Sequence, residues 1–179
     1  MRSSVIENNA VILREITIED LELVRTWRNR PDIRSYMLTQ DEISPQQQLG
    51  WFRHISAAEN QQHFVIYYRH EKIGVANIRG SLGVPVESQT ELETAIYIGN
   101  EKYRNTLIAF LPAIVLNDYC FDSLGCSKLV AVVLPDNTAA LRFNQTLGYQ
   151  IITKEPLVKM ALERDRFMSA TSSIRRLLR

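Results

Sequence analysis

Apolar and polar positions along the chain follow two different periods, which together predict an α/β protein. Apolar stretches of four to eight residues indicate strands, and apolar residues three or four positions apart indicate one face of a helix. The predicted strands cover residues 11–16, 63–68, 72–79, 91–98, 129–134, 149–153 and 157–162. Residues 81–90 contain turn-forming residues and predict a loop between antiparallel strands.

Helix signals lie between these strands. Thr17 and Asp20 form a predicted capping box ahead of a helix whose apolar face carries Leu21, Val24 and Trp27. Pro31 is placed to open a short second helix, and Ser44-Pro45 to open a third with Leu49, Phe52 and Ile55 on its apolar face.

Two further helices are predicted in the second half of the chain. An apolar helix runs from about Thr106 to Phe121, with a kink or restart at Pro112. The next helix follows Asp136 or Asn137, either of which can cap it, and stops at Gly148. The basic residues 174–179 predict a solvated terminal helix.

Composition narrows the class of protein. A chain of 179 residues with 45% hydrophobic residues fits one domain, residues 1–179, with a sizeable core. A net charge of +1 excludes a strongly basic nucleic-acid binder, and no apolar stretch approaches the roughly 20 residues of a membrane helix. Without a signal-peptide pattern we expect a cytoplasmic protein. Cys120 and Cys126 are then expected to be buried thiols, and three scattered histidines predict no metal site.

The segment 133–149 carries the most specific signal. Pro135 ends an apolar strand, Asn137 and Ala140 open a helix as Asn-x-x-Ala, and Gly148-Tyr149 closes it. This order resembles the GNAT acyl-CoA-dependent N-acyltransferases. The resemblance covers nearly the whole chain. It implies a mixed, mostly antiparallel sheet with splayed fourth and fifth strands, flanked by helices, and acetyl-CoA as co-substrate.

The resemblance is closest to two branches of that family. Residues 11–14, followed by Asp20 and residues 24–29, look like the opening of enzymes that acetylate ribosomal-protein N-termini or nucleotide-linked amino sugars. Residues 157–167 look like their closing strand. The segment 27–37 favours the amino-sugar branch. We therefore expect a small amine acceptor, with an amino sugar first and a protein N-terminus second. A non-catalytic binding module is the third interpretation, and a homodimer is possible.

The resemblance also implies a cofactor site. Main-chain groups of Tyr97 and Ile98 would face the acyl group, and the start of the next helix would hold the pyrophosphate through its free amides. The family pattern at that helix is Arg or Gln, two residues, Gly, one residue, then Gly or Ala. Here the segment is Arg104, Asn105, Thr106, Leu107, Ile108 and Ala109, and Leu107 occupies the main glycine position. Asn137 is a further predicted contact.

Candidate catalytic residues follow from the chemistry of acyl transfer, which needs a proton acceptor for the amine and a proton donor for the thiolate. Glu93 is the predicted acceptor; the alternative is a solvated carboxylate. Many family members have a tyrosine seven residues after the Asn of Asn-x-x-Ala, and here that position is Asn144. Asn144 is not an acid, but it could hydrogen-bond the sulfur or hold a water. Tyr97 and Tyr149 are the nearest phenols.

Acceptor-binding residues are predicted at the end of the first helix and after it. Arg28 and Arg30 could hold a diphosphate as a guanidinium fork, or be solvated helix-end charges. Tyr36, Met37 and Trp51 could supply apolar surface for a deoxysugar methyl group or a base. For Trp27 we favour core packing.

Overall fold

A computed structural model describes residues 4–8 and 10–177. Its strands are β1 (Val5–Asn8), β2 (Val11–Glu15), β3 (Gln61–Tyr68), β4 (Glu71–Arg79), β5 (Glu91–Ile98), β6 (Lys128–Val133), β7 (Gln150–Thr153) and β8 (Val158–Glu163). Its α-helices are α1 (Leu21–Asn29), α2 (Pro31–Arg34), α3 (Pro45–Ala57), α4 (Phe110–Asp118), α5 (Thr138–Thr146) and α6 (Arg164–Leu177). The predicted α/β class is confirmed.

The eight strands form one sheet in the order β1-β2-β3-β4-β5-β6-β8-β7. The β5–β6 pair is parallel, and the other neighbouring pairs are antiparallel. Strand β1 was not predicted. It pairs with β2 at the edge of the sheet, and three of its four residues are exposed. An edge strand of this kind has little apolar alternation, which is the signal that sequence patterns provide.

Strands β5 and β6 separate after a short paired region. Their register covers Glu91 with Lys128, Leu92 with Leu129, and Glu93 with Val130. Both strands continue beyond this point, β5 to Ile98 and β6 to Val133. The sheet therefore opens into a wedge, and main-chain groups on that side of β5 are free of β6. The predicted splay of the fourth and fifth strands is confirmed, with β1 adding one to the strand count.

Each face of the sheet is covered by its own hydrophobic cluster. The larger cluster, which we call the α4–α6 cluster, contains Phe64, Ile66, Leu92, Leu116 and Phe167 among its buried residues. The smaller, which we call the α1–α3 cluster, consists of buried Ile16, Leu21, Val24, Trp27, Ile33, Val65 and Val75. Alternate residues of β5 serve the two faces, because strand side chains alternate. Ile96 and Ile98 pack on the first cluster and Tyr97 on the second.

The apolar helix predicted from about Thr106 to Phe121 is built from three segments. A 3-10 turn at Leu107–Ala109 precedes α4, and a π-helical segment at Tyr119–Ser123 follows it. Pro112 lies in the first turn of α4, where a backbone N–H has no intrahelical partner to lose. The expected restart is therefore confirmed, and it occurs just before the proline.

The C-terminal segment differs from its prediction. The strand predicted over 157–162 is confirmed as β8, and the remainder of the family-like segment 157–167 belongs to α6, which begins at Arg164. The expected solvated helix over 174–179 is wrong in part: α6 starts ten residues earlier and buries Phe167 and Thr171 completely. Arg175 also makes a two-pronged ion pair with Asp118, at 2.6 and 2.8 Å. Residues 178–179 lie outside the described residues.

Substitution of Phe167 is expected to destabilise the fold strongly. Phe167→Ala should lower the free energy of unfolding by about 3–5 kcal/mol, because the ring is fully buried against Phe121 and leaves a cavity. Met168→Ala, at the neighbouring 40% exposed position, is the matched control and should cost far less. Urea unfolding of both variants measures the difference. Equal losses would contradict the docking of α6.

Candidate active site

Two glycines allow other elements to approach the carboxyl end of β5. A Cβ on Gly74 would lie 2.2 Å from the Tyr97 carbonyl oxygen, so β4 could not carry a side chain there. A Cβ on Gly99 would lie 2.2 Å from Cδ2 of Trp27. The indole can therefore rest directly on the end of β5, which confirms the packing role favoured for Trp27. This contact brings the last turn of α1 beside the open part of the wedge.

Arg28 and Tyr97, which interact electrostatically, flank this contact on α1 and β5. Arg28 Nη2 donates to the Thr39 carbonyl oxygen at 2.5 Å, while Nη1 is buried and has no partner among the described residues. The Tyr97 hydroxyl is likewise buried without a partner in the described part of the chain. Burial lowers the pKa of the Arg28 guanidinium and raises that of the Tyr97 phenol, so Tyr97 stays neutral. Such buried unpaired groups are costly, which makes these two atoms candidate positions for a ligand or a water.

Arg30 has a different environment from the one predicted for it. Its Nε and Nη2 donate to the two carboxylate oxygens of Asp32, at 3.2 and 2.7 Å, and Nη1 donates to the Gly99 carbonyl at 2.9 Å. Glu101 also pairs with Nη2. All three guanidinium nitrogens are thus engaged within the protein, and the substrate contact of Arg30 stays a prediction. Arg30 fastens α2 to the end of β5.

Two of the three predicted apolar contacts, Met37 and Trp51, lie on the same side of the sheet. Tyr36 follows α2 and is 51% exposed, whereas Met37 and Trp51 are partly buried on the α1–α3 cluster, as Tyr97 is. Trp51 also packs edge-on against His63, with ring centroids 5.2 Å apart. Burial lowers the pKa of His63 to about 4, so this imidazole is neutral at physiological pH. Tyr36 is therefore the most exposed side chain of the three predicted contacts.

Glu93 lies where β5 and β6 part. It occupies the last residue pair of the parallel register, and its carboxylate accepts from Arg79 Nη2 at 3.2 Å across the β4–β5 pair. Glu91, on the same face, is held by Lys128 Nζ at 2.5 Å. Glu93 and Tyr97 share a face but are about 13 Å apart along the strand, at roughly 3.3 Å per residue.

The second phenol, Tyr149, is buried in the core. Its hydroxyl lies 2.8 Å from Thr94 Oγ1, and burial raises its pKa. The Thr94 side chain points to the sheet face opposite Glu93, so Tyr149 is a structural residue and no proton donor for the wedge. Asn144 lies on α5, next to Phe143, whose ring stacks on Phe110 of α4 at 4.5 Å. This stacked pair joins the two helices that follow the splayed strands.

The loop before α4 contains no glycine, and an asparagine adopts the positive φ at its turn. Asn105 adopts a positive φ of 59°, in the left-handed region that asparagine tolerates better than most residues. Thr106 donates its hydroxyl to the Tyr103 carbonyl at 2.7 Å and precedes the 3-10 turn that contains Leu107, Ile108 and Ala109. The Leu107 side chain is 53% exposed. The amides of Leu107 and Ile108 are at a helix start, where amides lack intrahelical partners, whereas the Ala109 amide donates to the Thr106 carbonyl at 3.1 Å.

Arg104, at the start of the same loop, is held from one end. Its Nη1 pairs with Asp32 Oδ2, while Nε and Nη2 are buried and have no partner within residues 4–8 and 10–177. Nε and Nη2 form the side of a guanidinium that binds two oxygens of a phosphate at once. The Arg30 and Arg104 pairs lower the pKa of Asp32 to about 2. Sequence inspection missed Asp32, which has no motif and lies 72 residues from Arg104.

Other predicted features also have structural outcomes. The Asn137 side chain accepts from the Ala140 amide at 3.1 Å, which settles the capping choice in its favour. Cys120 and Cys126 are free and buried, as predicted, and burial raises the pKa of Cys126 to about 11. Among the residues described, no three His, Cys, Asp or Glu side chains form a group able to hold a metal. No described helix has the length and apolar character needed to cross a membrane.

A sheet that opens between a parallel pair of strands, with a helix start beside the opening, defines a class of acyl-group transferases. The model of the acetyltransferase (GNAT) domain matches residues 10–150, and the chain belongs to this family. Members of the family are acetyltransferases that use acetyl-CoA. The predicted family and enzyme class are therefore confirmed.

Individual relatives are distant. The chain is 24% identical over 144 residues to the acetyltransferase PseH of Campylobacter jejuni, covering 79% of this chain and 83% of that protein. Among solved structures it is similar to apo FdhC, a nucleotide-linked sugar GNAT (TM-score 0.79, 19% identity, 98% of both chains). It is also similar to spermidine N-acetyltransferase from Vibrio cholerae in complex with CoA and spermine (TM-score 0.77, 16% identity, 90% of this chain and 99% of that one). At these identities the solved structures establish the fold.

Proposed function

We propose that this acetyltransferase moves an acetyl group from acetyl-CoA to the amine of a nucleotide-linked amino sugar. The observation that carries the acceptor assignment is the buried pair of unpartnered polar atoms, Arg28 Nη1 and Tyr97 Oη, which no described residue satisfies. A guanidinium beside a neutral phenol suits an anionic group with hydroxyls, as in a nucleoside diphosphate sugar. The similarity to FdhC, a nucleotide-linked sugar GNAT, supports the same class of acceptor, and the similarity to the acetyltransferase PseH supports the reaction type.

The exposed ring of Tyr36 and the partly buried Met37 and Trp51 would hold the apolar parts of the acceptor. Aromatic rings present flat apolar surface that suits a nucleobase or a deoxysugar methyl group. Arg30 plays a supporting part, because its guanidinium fixes α2 against Gly99. The proposed acceptor site is thus built on α1, α2, α3 and the end of β5.

The residues around the wedge fit acetyl-CoA. The unpartnered Nε and Nη2 edge of Arg104 and the amides of Leu107 and Ile108 would hold the pyrophosphate, at the turn that Ala109 closes. The positive φ of Asn105 makes the turn of the loop, and the hydrogen bond from the Thr106 hydroxyl to the Tyr103 carbonyl stabilises it. Free main-chain groups of Tyr97 and Ile98 would orient the acyl arm. Asn137, at the start of α5, would provide a further contact to acetyl-CoA. When bound, acetyl-CoA supplies the activated acyl group as a thioester.

Glu93 is the proposed proton acceptor for the amine. It lies at the vertex of the wedge, and Arg79 orients its carboxylate. An amine must lose its proton to act as a nucleophile, and a carboxylate there can take it directly or through a water. Tyr97 is proposed to bind and orient substrate through its neutral hydroxyl. Asn144, near the stacked rings of Phe143 and Phe110, is proposed to hydrogen-bond the sulfur or a water that protonates it.

A protein N-terminus is the second candidate acceptor. Asn144 favours it, because the ribosomal branch of the family often lacks the tyrosine at this position, whereas the amino-sugar branch generally keeps it. A protein N-terminus has no diphosphate and would leave Arg28 without an anionic partner. The two candidates therefore differ in how much they need Arg28.

Titration with acetyl-CoA tests the cofactor assignment. Saturating acetyl-CoA should raise the melting temperature of the chain by mass action. Leu107→Gly should bind acetyl-CoA as tightly as the natural chain or more tightly, because its exposed side chain is replaced where the backbone must approach phosphate. Arg104→Ala removes the proposed pyrophosphate contact and, as the control, should weaken acetyl-CoA binding. No thermal shift for either the natural chain or Leu107→Gly would refute acetyl-CoA as co-substrate.

A further inference from the structure

Asp32 occupies an unusual position between the two halves of the proposed site. It lies on α2, which leads into the acceptor-side residues Tyr36 and Met37, and yet its carboxylate contacts Arg104 of the cofactor loop. The same carboxylate is bound side-on by Arg30, whose remaining nitrogen reaches the Gly99 carbonyl. Asp32 thus links α2, the end of β5 and the loop before α4 through its two arginine partners.

Asp32 contacts only one end of the Arg104 guanidinium. Asp32 takes Nη1, at the tip of the guanidinium, and leaves the Nε and Nη2 edge without a partner in the described chain. That edge is the one with the geometry for two phosphate oxygens. Arg30 presents its corresponding edge to Asp32 itself. Asp32 therefore holds the Arg104 plane by one end, with its phosphate-binding edge unused.

We propose that Asp32 is a positioning residue that sets the Arg104 guanidinium for the pyrophosphate of acetyl-CoA. This inference rests on the proposed function, because it requires Arg104 to contact that pyrophosphate. A flexible arginine loses rotamer freedom when it binds, and fixing it beforehand removes part of that cost. Asp32 stays ionised through the physiological pH range, because its two arginine partners keep its pKa near 2.

A purely electrostatic role and a positioning role predict opposite changes in acetyl-CoA affinity for Asp32→Asn. Removal of a negative charge beside an anion site should tighten the binding of acetyl-CoA, whereas loss of the anchor should weaken it. We expect about tenfold weaker acetyl-CoA binding, the scale of one hydrogen bond between charged groups. Glu101→Gln is the matched control: it removes one negative charge from the same network but contacts Arg30. It should leave acetyl-CoA affinity unchanged or slightly improved.

Calorimetric titration of acetyl-CoA into four variants tests the proposal. Besides Asp32→Asn and Glu101→Gln, these are Arg104→Ala and the double variant Asp32→Asn/Arg104→Ala. If Asp32 acts through Arg104, the double variant should bind as Arg104→Ala does, whereas a general structural role would add a second loss. Unchanged or tighter binding by Asp32→Asn, or additive losses, would overturn the positioning role. An unchanged affinity of Arg104→Ala would instead refute the proposed pyrophosphate contact.

Discussion

Glu93→Gln is expected to lower kcat by about 100-fold near neutral pH, the lower end of the range for general-base catalysis. Glutamine keeps the size of the side chain and can still meet Arg79, but it cannot accept the amine proton. The defect should shrink as pH rises, because the acceptor amine then loses its proton to solvent before it binds. Steady-state rates of thiol release between pH 6 and 10 measure this profile.

Glu91→Gln is the matched control for that experiment. Glu91 lies on the same face of the same strand, two residues away, but its carboxylate is paired with Lys128 outside the wedge. Its substitution should leave the rate and the pH profile close to those of the natural chain. If Glu93→Gln also retains the natural rate, Glu93 is a solvated carboxylate paired with Arg79, and water takes the proton.

Arg28→Lys is expected to raise the KM for a nucleotide amino sugar by roughly 10- to 100-fold, equivalent to the loss of one hydrogen bond between charged groups. Lysine keeps the positive charge. In Arg28, however, Nη2 holds the Thr39 carbonyl while Nη1 is left for an anion, and a single ammonium cannot reproduce this geometry of two separate nitrogens. The KM for acetyl-CoA should change little, because Arg28 lies on the acceptor side. Initial rates with each substrate varied in turn separate the two constants.

Arg25→Lys on the same helix provides the comparison. Arg25 pairs with Glu22 and donates to the Ile43 carbonyl, so the exchange has similar chemistry at a residue proposed to contact no substrate. Both KM values should stay within about twofold of the natural chain, the usual scale for surface changes. Equal increases for Arg25→Lys and Arg28→Lys would contradict a specific anion contact at Arg28.

Sequence patterns were sufficient for most of the fold because buried elements carry strong periodicity. The strands from β3 to β6 are apolar on one or both faces, and the capping boxes and prolines mark helix starts directly. Strand β1 has neither signal. The N-terminal part of α6 was missed because, among the side chains described from 164 to 176, only Phe167 and Thr171 are fully buried, and polar residues dominate the rest.

The candidate site was harder to predict, because its chemistry depends on contacts between distant residues. Arg28 and Arg30 have the same residue type and lie two positions apart, yet one has an unpartnered nitrogen and the other is saturated by Asp32, Glu101 and Gly99. The turn at Asn105 likewise depends on a backbone torsion rather than on a glycine. Motif matching identifies positions in such a loop, whereas the hydrogen-bond partners decide which side chains are available.

Acetyl transfer to a defined panel of acceptors tests the central proposal most directly. The panel contains UDP-, dTDP- and CMP-linked amino sugars beside N-terminal peptides, each with acetyl-CoA, and transfer is followed by free thiol release and by product mass. We predict acetylation of at least one nucleotide amino sugar and none of the peptides. Acetylation confined to the peptides would contradict the sugar assignment, and acetyl-CoA binding without transfer to any acceptor would contradict catalysis on both classes.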